Sequence, residues 1–220
     1  MKERPILLSA EMVRAVLDGR KTQTRRVIQS PAKSMQANGQ KVIDYREPGD
    51  KWYGDHVFSM RNQSGTWCDY TKEQFLAKCP FGAVGDRLWV RETWTHESID
   101  AEGGSYSPDY RVMANGQPLD GRWRPSIHMP RWASRITLEI TGVRVERLQD
   151  ISAKDVTDEG IKTLAESMWG PQWWVDAPQA AINDAHLQFS IIWSKIYGEE
   201  SWQANPWVWV IEFKRVEGEA

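Results

Sequence analysis

Cysteine and histidine are scarce in this 220-residue chain, with two and four copies. The histidines at 56, 96, 128 and 186 form no pair at ligand spacing, and Cys68 and Cys79 add no zinc pattern, so no metal is expected. Long apolar runs are also missing. The stretch Ile6-Leu7-Leu8 is too short for a signal-peptide core, and nothing approaches the ~20 apolar residues of a membrane span. A cytoplasmic protein with reduced thiols and no membrane partner is therefore expected. An excess of one charge is absent too: 28 Lys+Arg stand against 30 Asp+Glu, with a pI near 6.1. Proteins that hold nucleic acid chiefly by phosphate neutralisation are more basic, so any contact with RNA or DNA should be a local patch or pocket.

Tryptophan, by contrast, is abundant, with thirteen copies. Each brings large apolar area and one N–H donor. Most are expected to fill the core and cover loops; one or two can form a stacking platform for a base.

Ser9 reads as an N-cap for a helix over residues 10–18, with Met12, Val13, Val16 and Leu17 at helical spacing and Gly19 placed to close it. Residues 21–28 read as extended. A turn at Gly85-Asp86 feeds a strand over 87–91, and 134–145 alternates as a strand through Ile136, Leu138 and Ile140. Ser152 caps a short helix over 153–159 that ends at Gly160. Residues 180–197 form an amphipathic helix whose apolar face holds Ile182, Ala185, Phe189, Ile192, Trp193 and Ile196. Residues 207–216 read as a central strand, being apolar on both faces at the start. Short strands are expected at Trp52-Tyr53, Val57-Phe58 and 110–112, and a packed Trp-bearing loop at 165–178. Without a βαβ repeat or a Gly-rich phosphate loop, the order favours a mixed α+β barrel over a doubly wound sheet.

Chemistry concentrates in Gly19-Arg20-Lys21-Thr22-Gln23-Thr24-Arg25-Arg26. A lysine near a threonine can supply a base beside a nucleophile, and the arginines can grip an anion or a base edge. The opposing reading is a solvated basic strand beside a helix C-terminus, where cations are favourable anyway. A regular strand would put residues 21 and 24 on opposite faces, so Lys21 and Thr24 meet only if the chain bends there. A second constellation runs from Trp123 to Arg135. Arg131 and Arg135 can pair with phosphate, and His128 or Trp132 can stack on a base. Its alternative is a rigid Pro-bounded loop whose arginines pair with acids such as Glu139 or Asp150. Glu92 is the spare carboxylate, and Cys79 reads as a small buried residue rather than a nucleophile.

The runs GRKTQTR (19–25), GDRLWV (85–90), ITLEITGV (136–143), DEG (158–160) and VWVIEFK (208–214), in that order, resemble the ASCH domain of the PUA-like superfamily. The longer runs at 79–94 and 123–152 are similar to those of larger phage- and prophage-associated ASCH proteins. The resemblance implies one PUA-like domain over 1–220, an α+β mixed β-barrel flanked by helices, with loop-rich insertions near 30–78, 95–125 and 165–180. Some ASCH proteins are amidohydrolases of N4-acetylcytidine that need no cofactor. Carried over, their catalytic set falls on Lys21, Thr24 and Glu159. The residues of the two constellations themselves offer Arg25, Arg26, Glu92, His128, Arg131, Trp132 and Arg135 as substrate-binding candidates. The expected partner is a modified pyrimidine nucleoside or nucleotide. The alternatives are a non-catalytic RNA- or DNA-binding reader of a modified base, and a ribonuclease using Lys21 and His128.

Overall fold

The computed structural model describes residues 1–28, 43–45, 57–61, 67–98, 106–110, 122–162 and 178–216. The chain is α+β. A five-stranded mixed sheet runs β1 (Glu3–Leu7), β6 (Arg87–Arg91), β9 (Thr137–Arg147), β10 (Trp207–Arg215) and β2 (Gln23–Val27) in spatial order. β1 lies parallel to β6, and every other neighbouring pair is antiparallel. Backbone pairing leaves β1 and β2 as the two edges, so among the described residues the sheet is open.

The alternation of β10 divides the interior. Trp209, Ile211 and Phe213 enter one core with Ile6, Val13, Leu88, Leu138 and Phe75. Val208 and Val210 enter the other with Leu148, Val156, Phe189 and Trp193. Successive strand residues point to opposite faces, so a strand apolar on both faces must lie between two layers. One layer carries α1 (Ala10–Leu17), which buries Val13, Ala15 and Val16 and is capped by the Ser9 hydroxyl accepting from the Met12 N–H. Gly19, at φ +74°, turns the chain out of α1 into β2.

The opposite layer carries α3 (Ala153–Asp158) and α4 (Pro178–Tyr197). Ser152 and Asp155 form a reciprocal capping box at the start of α3. The apolar stripe of α4 is narrower than its sequence suggests. Ala185, Phe189 and Trp193 are buried, whereas Ile182 and Ile196 are 38% and 53% exposed. The helix meets its neighbours α3 and α5 (Glu199–Gln203) along one i, i+4 line, and the flanks of the stripe turn away from it.

The stretch 30–78 contributes a small antiparallel sheet, β3 (Ile43–Tyr45), β4 (Val57–Arg61) and β5 (Trp67–Thr71), followed by α2 (Lys72–Leu76). Phe75 of α2 stacks on Trp209 at 5.1 Å between ring centroids, which ties this stretch into the main core. A hairpin of β7 (Trp94–Ser98) and β8 (Tyr106–Tyr110) follows β6. The expected strand at 110–112 thus begins earlier and is described only to Tyr110. The expected strand at Trp52-Tyr53 and the Trp-bearing loop at 165–178 lie outside the described residues. Sequence patterning missed β1, whose five residues alternate too briefly to stand out, and also missed α5.

Candidate functional site

Lys21 sits in an isolated bridge to Glu159, just ahead of β2. Its Nζ donates to Glu159 Oε2 at 2.6 Å and to the Glu159 carbonyl at 2.9 Å. The two side chains are 0% and 5% exposed. Glu159 caps the C-terminus of α3, and Gly160 follows at φ +82°. A Cβ at Gly160 would lie 2.6 Å from Ala15 Cβ and 2.9 Å from Lys21 Cβ, so glycine is what lets this turn press against α1 and Lys21.

Arg25 takes the other oxygen of Glu159, donating from Nη1 to Oε1 at 3.3 Å. Its Nε and Nη2 grip Glu146 Oε1 at 2.9 and 2.5 Å, and Nη2 lies 3.3 Å from Asp155 Oδ2. Its guanidinium carbon is 5.9 Å from the Phe189 ring centre. Gln23 donates to the Asp155 carbonyl and to Asp155 Oδ1 at 2.8 and 2.9 Å. Arg144 completes the network by reaching Glu146, Asp155 and Glu212. The cluster therefore matches three cations with four carboxylates under the α3 layer.

Burial drives the pKa of Lys21 below the ordinary lysine value. The Glu159 carboxylate works against this, and the charges of Arg26 and Arg25 reinforce it. Burial opposes ionisation of Asp155, but hydrogen bonds from Gln23 and Ser152 and the charge of Arg25 outweigh it and hold the carboxyl down to about 2.

Thr24 lies on the opposite face of β2. It pairs with Ile211, which belongs to the α1-side core, whereas Arg25 pairs with Val210, which belongs to the α3–α4 core. Thr24 is fully buried, and its Oγ1 accepts from Arg26 Nη1 at 2.8 Å. Among the described residues no hydrogen bond joins Thr24 to Lys21. Arg26 also donates to its neighbour's carbonyl, Arg25 O, and from Nη2 to the carbonyl of Leu7 on β1, both at 2.9 Å.

Leu7 pairs with Arg91, and the next residue, Glu92, opens the second group. Glu92 is buried and takes both donor arms of Arg135 at 2.9 Å, while the Arg135 guanidinium lies 4.0 Å from the Tyr110 ring centre. Arg131 instead pairs with Glu3 at the surface, at 2.8 Å. The arginines of the Pro-bounded loop pair with acids, as its alternative reading expects, but they choose Glu92 and Glu3. Glu139 pairs with Lys214 instead. His128 is exposed on a 3-10 turn over Ser126–His128. Trp132 is 55% exposed and stands edge-on to Trp94 at 5.6 Å. Cys79 is a free, buried thiol whose pKa burial pushes up.

The structure thus joins Lys21, Arg25 and Glu159 directly, puts Thr24 with Arg26, and puts Glu92 with Arg135. Sequence reasoning missed Glu146, Asp155 and Arg144. Nothing local marks Glu146, Asp155 or Arg144 as partners of Arg25. An open pocket of about 390 Å³ lined by Gln149, His186, Leu187, Ser190 and Trp202 shares no residue with these groups. No helix among the described residues is long and apolar enough to cross a membrane. No protein-family model, curated protein or solved structure matches the chain.

Proposed function

We propose that this protein is an amidohydrolase that removes the acyl group from an N4-acylated cytidine or a closely related modified pyrimidine nucleoside. The observation that carries the reading is the sealed contact of Lys21 with Glu159. Burial lowers the proton affinity of the amine, which is what a lysine base near neutral pH requires. The order of motifs that resembles the ASCH domain puts the same residues together. The PUA-like barrel belongs to this reading as well, and it is supported by the hydrogen bond from Arg26 on one edge strand to the Leu7 carbonyl on the other.

In this scheme Thr24 Oγ1 attacks the amide carbonyl and Lys21 takes its proton. The tetrahedral intermediate collapses with cleavage of the C–N bond, and the proton passes to the departing exocyclic nitrogen. Water then hydrolyses the acyl-threonine ester and frees the carboxylic acid. Glu159 orients Lys21 and balances its charge. The scheme requires the chain to bend at the start of β2 so that Lys21 Nζ reaches Thr24 Oγ1, because strand alternation sets the two on opposite faces.

The candidate arginines favour an uncharged nucleoside over a nucleotide. Arg25, Arg131 and Arg135 already face carboxylates, and Arg26 is committed to Thr24 and two carbonyls. The test is chromatography of N4-acetylcytidine incubated with wild-type protein and with Lys21→Ala. Release of cytidine by the wild type alone supports the reading; no release by a folded wild type removes it.

One observation favours a second reading, a nucleic-acid-binding module. Trp132 presents half its surface next to Trp94, and the Arg124 guanidinium lies 5.5 Å from the Trp94 ring centre. An aromatic platform beside cations suits single-stranded RNA or DNA. Steep loss of oligonucleotide binding with salt, without any product, would favour it.

A further inference from the structure

We infer that Arg26 is a positioning residue for Thr24, a strap between the two sheet edges that holds the threonine hydroxyl in its reactive orientation. This rests on the amidohydrolase reading, and it assigns Arg26 a role other than gripping substrate.

Three contacts define the strap. Nη1 donates to Thr24 Oγ1 at 2.8 Å and to Arg25 O at 2.9 Å, and Nη2 donates to Leu7 O at 2.9 Å. Thr24 and Arg26 are two residues apart on β2, so their side chains share one face. The guanidinium is a rigid planar fork, so anchoring one arm on β1 fixes the direction of the other. Among the described residues, no other hydrogen bond is seen between β1 and β2, which lie at opposite ends of the strand order.

The consequence for the threonine is electronic as well as steric. A hydroxyl that accepts a hydrogen bond from a cation must aim its own hydrogen elsewhere, which leaves that proton for a base. The same donor stabilises the alkoxide more than the alcohol, because charge-assisted hydrogen bonds are about twice as strong as neutral ones. Arg26 is thus set to ease deprotonation of Thr24 without touching the acyl group.

The test uses an alkyl fluorophosphonate, which forms a P–O bond to an activated hydroxyl and expels fluoride. The adduct at Thr24 is located by peptide mass spectrometry, and its rate is followed against pH in wild type, Arg26→Ala and Arg26→Lys. The expected result is labelling of wild-type Thr24, slowed roughly 10–100-fold in Arg26→Ala with the rise moved to higher pH. Arg26→Lys, which keeps the charge, should regain part of the rate. With N4-acetylcytidine the same loss should fall on kcat and leave KM nearly unchanged.

Equal rates and profiles in wild type and Arg26→Ala overturn the inference. So does a slower rate with an unshifted profile, which reports only a loosened edge. Labelling that depends on Arg26 in a protein that releases no cytidine sustains the strap and removes the proposed substrate. Absence of labelling in a wild type that also releases no cytidine removes both; where cytidine is released, the kcat of Arg26→Ala against wild type decides, because Thr24 is buried from the probe.

Discussion

Lys21 Nζ lies 2.6 Å from Glu159 Oε2, and both side chains are buried. The partners are far apart in sequence, one ahead of an edge strand and the other at the end of a short helix. Arg25 holds the second oxygen of the same carboxylate. One glutamate therefore balances two buried cations, and its loss would leave the lysine charge uncompensated.

Glu159→Gln is the direct test of that dependence. Breaking a buried ion pair by removing one partner costs about 3–5 kcal/mol. The variant should lose stability on that scale in urea titration, through a lower midpoint at unchanged slope. Arg25 keeps Glu146 and Asp155, so the loss reports mainly on Lys21. A change under 1 kcal/mol would show that the pair is not sealed in solution.

The lowered pKa of Lys21 has a definite sign in the pH dependence. In the unfolded chain the amine keeps its ordinary value of about 10.4. Between the lowered folded value and that figure, the unfolded state binds more protons, so stability rises with pH across the window. The Cys79 thiol, raised by burial, opposes this at the alkaline end. The difference between wild type and Lys21→Met isolates the lysine. It should grow with pH inside the window and level off above it, as measured by unfolding at several pH values. On the proposed amidohydrolase reading, the rise in kcat/KM with pH should also fall below the ordinary lysine range.

Asp155 behaves in the opposite way. Its carboxyl is held down to about 2 in the folded protein, so its stabilisation is complete above the unfolded value of about 3.9 and disappears as pH falls toward 2. Asp155→Asn should cost about 1–2 kcal/mol at neutral pH after allowance for solvent screening, and distinctly less at pH 2.5, where the stabilisation is already falling. Thermal unfolding at pH 7 and pH 2.5 separates this from simple loss of the helix cap, which would persist at both.

Gly160→Ala should disturb the site from the other side. The new methyl would collide with Ala15 and the Lys21 side chain, at a backbone angle that disfavours alanine. A loss of about 1–3 kcal/mol is expected in thermal or urea unfolding. On the proposed reading turnover should fall with it, since Lys21 cannot keep its place beside Glu159.

Two arginines from one loop should differ sharply. Arg131→Ala breaks an exposed pair with Glu3 and should cost under about 1 kcal/mol. Arg135→Ala strands the buried Glu92 carboxylate and should cost about 3 kcal/mol. Parallel urea titrations of the two variants decide the matter, and equal losses would contradict the burial of Glu92.

The local sequence determined the elements whose signals are local. Ser9 and Gly19 bracket α1, Ser152 and Gly160 bracket α3, and the double apolar faces of β10 announce a central strand, because caps and alternation act over a few residues. It also marked Lys21, Thr24 and Arg25 as the residues worth testing, and the resemblance added Glu159. Tertiary structure alone decided which of them meet. Strand alternation turns Thr24 toward the α1 core and Arg25 toward Glu146, Asp155 and Glu159, while Arg131 and Arg135 find Glu3 and Glu92 rather than Glu139 or Asp150. The partner of a buried charge is set by which elements the two cores press together, and that information is spread over the whole sheet rather than held in any motif.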